Sequence, residues 1–217
     1  MGTITRSFAN NITTSGVLLP ASLTNNSIAN VTSYNAAVAT GGMVLLSSQT
    51  ASDSASISFT TGINSTYKEY QFYFIDIHAR TDNVKFTFNM STDAGSNYNV
   101  TKTTTYFTAY HDEGGAFAGL TYEAAEDLAQ STSFQVLANT VGNDNDQSIS
   151  GSMLLFNPAS TVYVKHFMSD IDNATESNTG YRNLSAGYGN TTSAVDAVQF
   201  KMSSGNFDGT ILMYGIV

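Results

Sequence analysis

From Met43 to the last residue, short apolar runs alternate with clusters of turn-forming residues. The runs "MVLLSS", "ASISFTT", "EYQFYFIDIH", "NVKFTFNMST" and "YNVTKTTTYFTAY" are rich in β-branched and aromatic side chains. Between them stand "DS", "GINST", "RTD" and "DAGSN". Further on come "SFQVLAN", "QSISGSMLLFN", "STVYVKHFMSD", "AVDAVQFKMSS" and "GTILMYGI". Segments of this length and composition, punctuated in this way, predict about ten strands. That density of strands predicts an all-β domain, an antiparallel β-sandwich of jelly-roll type. The segment "TYEAAEDLAQ" is the exception and predicts a helical turn or two. Both prolines, Pro20 and Pro158, fall at segment edges, where they interrupt no ladder.

Alternation distinguishes the strands. In "KFTFNM", Phe86, Phe88 and Met90 point one way and Lys85, Thr87 and Asn89 the other, which predicts one wet face. "EYQFYFIDIH" is apolar on both sides, with Tyr70, Phe72 and Phe74 opposing Tyr73, Ile75 and Ile77. So is the final strand, where Ile211, Met213 and Val217 oppose Leu212, Tyr214 and Ile216. A sheet in a sandwich has only one inner face. Strands apolar on both faces therefore call for a second cover.

Residues 1–42 form a block of different character. Arg6 is the one charge, Gly41-Gly42 closes the block, and apolar residues are thinly spaced without a helical or strand period. This block has too little apolar surface to order itself and too much to be a purely solvated linker. One reading is a loose or locally docked tail. The other is an extended arm that packs on a neighbouring subunit, with Ile4, Phe8, Ile12, Val17, Leu18 and Leu19 as anchors. On the second reading residues 43–217 form the β-sandwich, and Tyr73, Ile75, Leu212, Tyr214 and Ile216 belong to the interface.

Composition narrows the function. Charged residues are 12% of the chain, and Ser, Thr, Asn and Gly take their place, as is common in β-rich extracellular and virion proteins. The net charge of −9 repels phosphate backbones and anionic lipid, which disfavours nucleic acid and membrane surfaces as partners. No apolar stretch has the length of a membrane span, and the N-terminus lacks the apolar run of a secretory signal. A cytoplasmic origin is the expectation, with exit by lysis or by a dedicated route if the protein works outside. There is no cysteine, so disulfides and thiolate metal sites are excluded, and no tryptophan, so a sugar platform must use Tyr or Phe.

Candidate chemistry is sparse. His78, in "IDIHAR", has Asp76 two residues back, His111 adjoins Asp112 and Glu113, and His166 sits in "VYVKHFMSD". No HExxH pattern or GxSxG elbow accompanies them, so the expectation is no enzyme, no cofactor and no metal. "GNDNDQ" and "SDIDNATE" carry closely spaced carboxylates but not the full calcium-loop pattern. Glu113, Glu123, Glu126 and Asp127 offer carboxylate pairs of the kind glycosidases use, as any acidic protein does. Tyr106 and Tyr110 in "TYFTAYHDEGGAF", and Tyr181 and Tyr188 in the Gly/Asn/Tyr-rich "GYRNLSAGYG", are able to stack on sugar rings. The second segment reads as a contact loop, making Tyr181 and Tyr188 the glycan-contact candidates. The plainer alternative is that these tyrosines cap sheet edges.

Several segments together, among them "ITRSFANNITTSGV", "STDAGSNYNVTKTTTYFTAYHDE", "SGSMLLFNPASTVYVKH" and "NTTSAVDAVQFKMSSGNFDGTILMYGI", resemble a group of uncharacterised proteins. These come from marine and freshwater tailed phages and environmental metagenomes, and the group looks like a virion-structural or appendage family. The resemblance covers most of the chain and brings no catalytic residues with it. It implies an extracellular structural protein, part of a virion or a free filament. Its expected partners are copies of itself and, beyond those, other virion proteins or a host surface glycan.

Overall fold

The computed structural model describes residues 42–217, and the segment read as an arm, with Ile4, Phe8, Ile12, Val17, Leu18 and Leu19, lies outside them. The chain divides into two units, Met1–Ala39 and Thr40–Val217. The second consists of twelve strands: β1 (Met43–Ser54), β2 (Ile57–Phe59), β3 (Glu69–Ala79), β4 (Val84–Ser91), β5 (Lys102–Asp112), β6 (Ala118–Tyr122), β7 (Gln135–Val141), β8 (Ile149–Phe156), β9 (Lys165–Ala174), β10 (Thr179–Gly189), β11 (Ala197–Met202) and β12 (Phe207–Ile216). They form an eight-stranded sheet, β1-β12-β3-β8-β9-β10-β5-β6, and a four-stranded sheet, β2-β11-β4-β7. All the pairings are antiparallel.

Setting aside β5, β6, β9 and β10 leaves two four-stranded sheets with nested pairing. The first strand pairs with the last (β1 with β12), β2 with β11, β3 with β8 and β4 with β7. That nesting is the topology of a jelly roll. The remaining four strands extend one sheet from β8 outward. The larger sheet therefore reaches beyond the smaller one.

The core between the sheets is aromatic. Phe72 and Phe74 of β3 meet Phe200 of β11 at centroid distances of 5.4 and 5.1 Å, and Phe86 meets Phe74 at 5.2 Å. Phe88 of β4 meets Phe167 of β9 at 4.7 Å, which ties the added strands to the smaller sheet. Edge-to-face pairs of this kind add to the stabilisation from area burial alone. Gly215 of β12 leaves room on the inner side for the Tyr67 ring, which a Cβ there would strike. Tyr67 in turn packs edge-on against Tyr70 at 6.0 Å.

Under the added strands the interior turns polar. Ser169 and Ser185 share a hydrogen bond of 2.6 Å, Asn183 Nδ2 donates to Asn173 Oδ1 at 2.6 Å, and Tyr106 Oη donates to Asn183 Oδ1 at 2.6 Å. All five side chains are buried. Burying them is tolerable because they satisfy one another.

Four expectations need correction. "TYEAAEDLAQ" forms no helix; it makes a single turn closed by Glu126 N–H to Glu123 O at 3.0 Å. "GYRNLSAGYG" is no loop but most of β10, the central member of β9-β10-β5. Gly187 is used where strands approach closely, since a Cβ there would press on the Thr104 side chain and backbone. The wet face predicted for β4 is covered: Thr87 and Asn89 are buried, with Asn89 Nδ2 bonded to the Tyr98 and Thr132 carbonyls of overlying loops. Lastly, Ile77 does not share a face with Tyr73 and Ile75. A bulge at Asp76 (φ +50°) turns Ile77 inward to full burial and also takes Asp76 out of step with His78.

Candidate assembly surface

The larger sheet packs one face on the core. Strand parity and register give the composition of the other. One row across the strands runs Leu45, Tyr214, Gln71, Leu154, Met168, Ala186. The next runs Ser48, Leu212, Tyr73, Ser152, Asp170, Leu184, Phe107, Tyr122. A third begins Met43, Ile216, Glu69, Phe156. The face is thus apolar over most of its width. Leu45 is 53% exposed and Met168 55%. A solvated antiparallel sheet ordinarily carries polar residues at such positions.

The structure brings Tyr73, Ile75, Leu212, Tyr214 and Ile216 onto this one face. Tyr73 and Tyr214 meet edge-to-face at 5.8 Å. Tyr73 lies directly across from Leu212, and Ile75, 43% exposed, across from Thr210. The rings and aliphatic chains partly cover each other and leave a ridge over β12 and β3.

Beyond that ridge, Thr103, Thr105, Phe156, His166, Met168, Ala186 and Tyr188 line an open, shallow depression of about 500 Å³. Ala186 and Gly187 are small, so the taller Met168, Phe156 and Tyr188 stand as its walls. His166 and Tyr188 face each other across β9 and β10, ring centroids 6.0 Å apart. Sequence reasoning missed this depression because it missed β10. The parity of Tyr188 is readable only once that strand is placed.

Charge on this face includes Glu69, in the third row, and a cluster around Arg182. Arg182 forms a bidentate pair with Asp170, at 2.9 and 2.6 Å. That hydrogen-bonded guanidinium holds the Asp170 carboxyl below the usual carboxylate range. Neighbouring Asp172 is pushed up by burial, with Arg182 opposing the shift. The cluster thus holds one guanidinium against two carboxyls, with Asp170 taking both of its hydrogen bonds.

The other candidates disperse. His78 Nδ1–H donates to the Gln147 carbonyl and His111 Nδ1–H to the Asp112 carbonyl, both at 2.8 Å. Glu126 accepts from Lys85 Nζ at 2.6 and 2.7 Å, and Asp127 from the Tyr122 hydroxyl at 2.5 Å. Among the described residues, no three His, Asp or Glu side chains are grouped to hold a metal, and no helix is long and apolar enough to cross a membrane. Tyr181 and Tyr188, seven residues apart on one strand, point to opposite faces of the sheet and do not form one contact site.

Comparison with known proteins matched no family model, no curated protein and no solved structure.

Proposed function

We propose that this chain is a non-enzymatic structural protein, a self-assembling subunit of a fibre, filament or phage virion surface that works outside the cell. Residues 1–42 act as an arm that packs on a neighbouring copy. The observation that carries the reading is the apolar outer face of the eight-stranded sheet, from Leu45 and Tyr214 through Tyr73 and Leu154 to Met168. A face of that extent is a contact surface in want of a partner.

The arm supplies matching chemistry. Ile4, Phe8, Ile12, Val17, Leu18 and Leu19 are spaced along a nearly uncharged segment. Burying an anchor of this size contributes roughly 1.5–3 kcal/mol, so several together offset the cost of ordering the segment. The open depression beside Met168 and Tyr188, about 500 Å³ in volume, offers such an anchor a place on this face.

Deletion of residues 1–40 tests the reading. The shortened chain is expected to keep its β circular-dichroism spectrum and to elute from size exclusion as a monomer, with no particles by negative-stain electron microscopy. A truncated protein that assembles like the full chain overturns the arm's role.

A further inference from the structure

A second surface lies on the opposite side of the same sheet and is independent of the assembly reading. On β10 and β5 the inward-pointing residues Asn183 and Thr108 are fully buried, but the next ones along, Tyr181 and Tyr110, are only half-buried. Cover is incomplete at that step, although Thr179, the next inward residue of β10, is buried again. There the large sheet carries an aromatic shelf. Tyr110 lies across from Tyr181, with ring centroids 5.5 Å apart and planes inclined by 33°. Phe117, 53% exposed, extends the shelf at 6.1 Å from Tyr110. Gly119 on β6 makes this possible. A Cβ there would lie 2.7 Å from the Tyr110 hydroxyl, so the ring lies over the glycine.

The shelf is edged with acceptors. Glu123 takes a hydrogen bond from the Thr108 hydroxyl at 3.1 Å. Burial pushes the Tyr181 hydroxyl up, and the charges of Glu123, Tyr110 and Glu176 push it further. The Glu176 N–H donates to the carbonyl of Thr140 at 3.4 Å. Thr140 is a β-branched residue held at φ +46°, with a buried hydroxyl oxygen that has no hydrogen-bond partner among the described residues. Backbone strain of this kind is retained where the surroundings over-determine it, and functional sites are where it concentrates.

We propose that the Tyr110–Tyr181–Phe117 shelf is a binding site for neutral glycan chains. The faces of the aromatic rings suit the C–H side of a sugar ring. The carboxylates accept from sugar hydroxyls, as only donors satisfy them. The same carboxylates, on a chain of net charge −9, repel uronates and sulfated sugars.

Native gel electrophoresis of the full chain tests this, with soluble glucan, mannan, xylan or galactan cast in the gel and alginate as the acidic control. We expect retardation by at least one neutral polysaccharide and none by alginate. Tyr110→Ala and Tyr181→Ala each weaken the retardation roughly tenfold, as loss of a stacked ring predicts. Tyr181→Phe, which keeps the ring, retains it, and so does Tyr163→Ala, an exposed tyrosine between β8 and β9. The alanine variants are first checked for wild-type melting and elution. No retardation in any neutral gel overturns the proposal. So does retardation that survives Tyr110→Ala with Tyr181→Ala. A changed oligomeric state in the alanine variants overturns it as well, because the shelf is then a contact between copies.

Discussion

Lys102 of β5 donates from Nζ to Asn89 Oδ1 of β4 at 2.5 Å, and both side chains are fully buried. The second partner of the ammonium is the Val100 carbonyl at 2.7 Å; no carboxylate bonds to it. Asn89 thus links the sheets through Lys102 and holds two loops through the Tyr98 and Thr132 carbonyls. Asn89→Leu leaves the buried amine with the Val100 carbonyl alone and takes the donor from the Tyr98 and Thr132 carbonyls. We expect it to destabilise the domain by about 3 kcal/mol or more, read as a lowered midpoint in urea unfolding.

The same lysine gives stability a pH dependence. Burial lowers its pKa from the ordinary lysine value of 10.5 to about 7, and burial lowers Lys165 as well. With the folded-state value below the unfolded one, the unfolded chain binds the extra proton between the two. Stability therefore rises as pH climbs from about 7 toward 10.5. Urea midpoints at pH 7, 8 and 9 should increase, and the slope should flatten in Lys102→Met. An unchanged slope in that variant contradicts the assignment.

At the bulge in β3, Gly209 of β12 has φ +123°, and a Cβ there would lie 2.6 Å from the Asp76 carbonyl oxygen. No side chain fits without moving the strand that turns Ile77 into the core. Gly209→Ala is expected to cost about 2–4 kcal/mol, combining unfavourable φ with the clash. The check is its unfolding midpoint against that of Gly42→Ala, where a Cβ meets nothing within 4 Å.

Most of the sandwich was legible in the sequence because apolar alternation and turn clusters coincide with the strands. Phe72, Phe74, Ile211 and Met213 face inward, and Tyr73, Leu212 and Tyr214 outward, as their spacing implies. Two strands were not legible, for a physical reason. β10 is built from Gly, Asn, Ser and Tyr because its inner face meets a polar interior at Asn183 and Ser185, close backbone at Gly187, and the Met90 and Val100 side chains at Gly189. Such a composition carries a turn signal in isolation. β6 has five residues and sits at an edge, too short for a period to show. The bulge at Asp76 escaped as well, since a single left-handed residue leaves no periodic trace. The outer face, by contrast, was foreseeable from β3 and β12 alone. Its full width, through Leu154, Met168 and Phe107, needed the topology.

The central claim is that one copy's outer sheet face is buried by another. Light scattering coupled to size exclusion tests it most directly, on the full chain and on Leu212→Glu with Tyr214→Glu. Both residues point away from the core, so the variant should melt within about 1 kcal/mol of wild type. We expect the full chain to run as a multimer or polymer and the variant at single-chain mass. A full-length protein that is itself monomeric at high concentration, or a charged variant that assembles unchanged, contradicts the account.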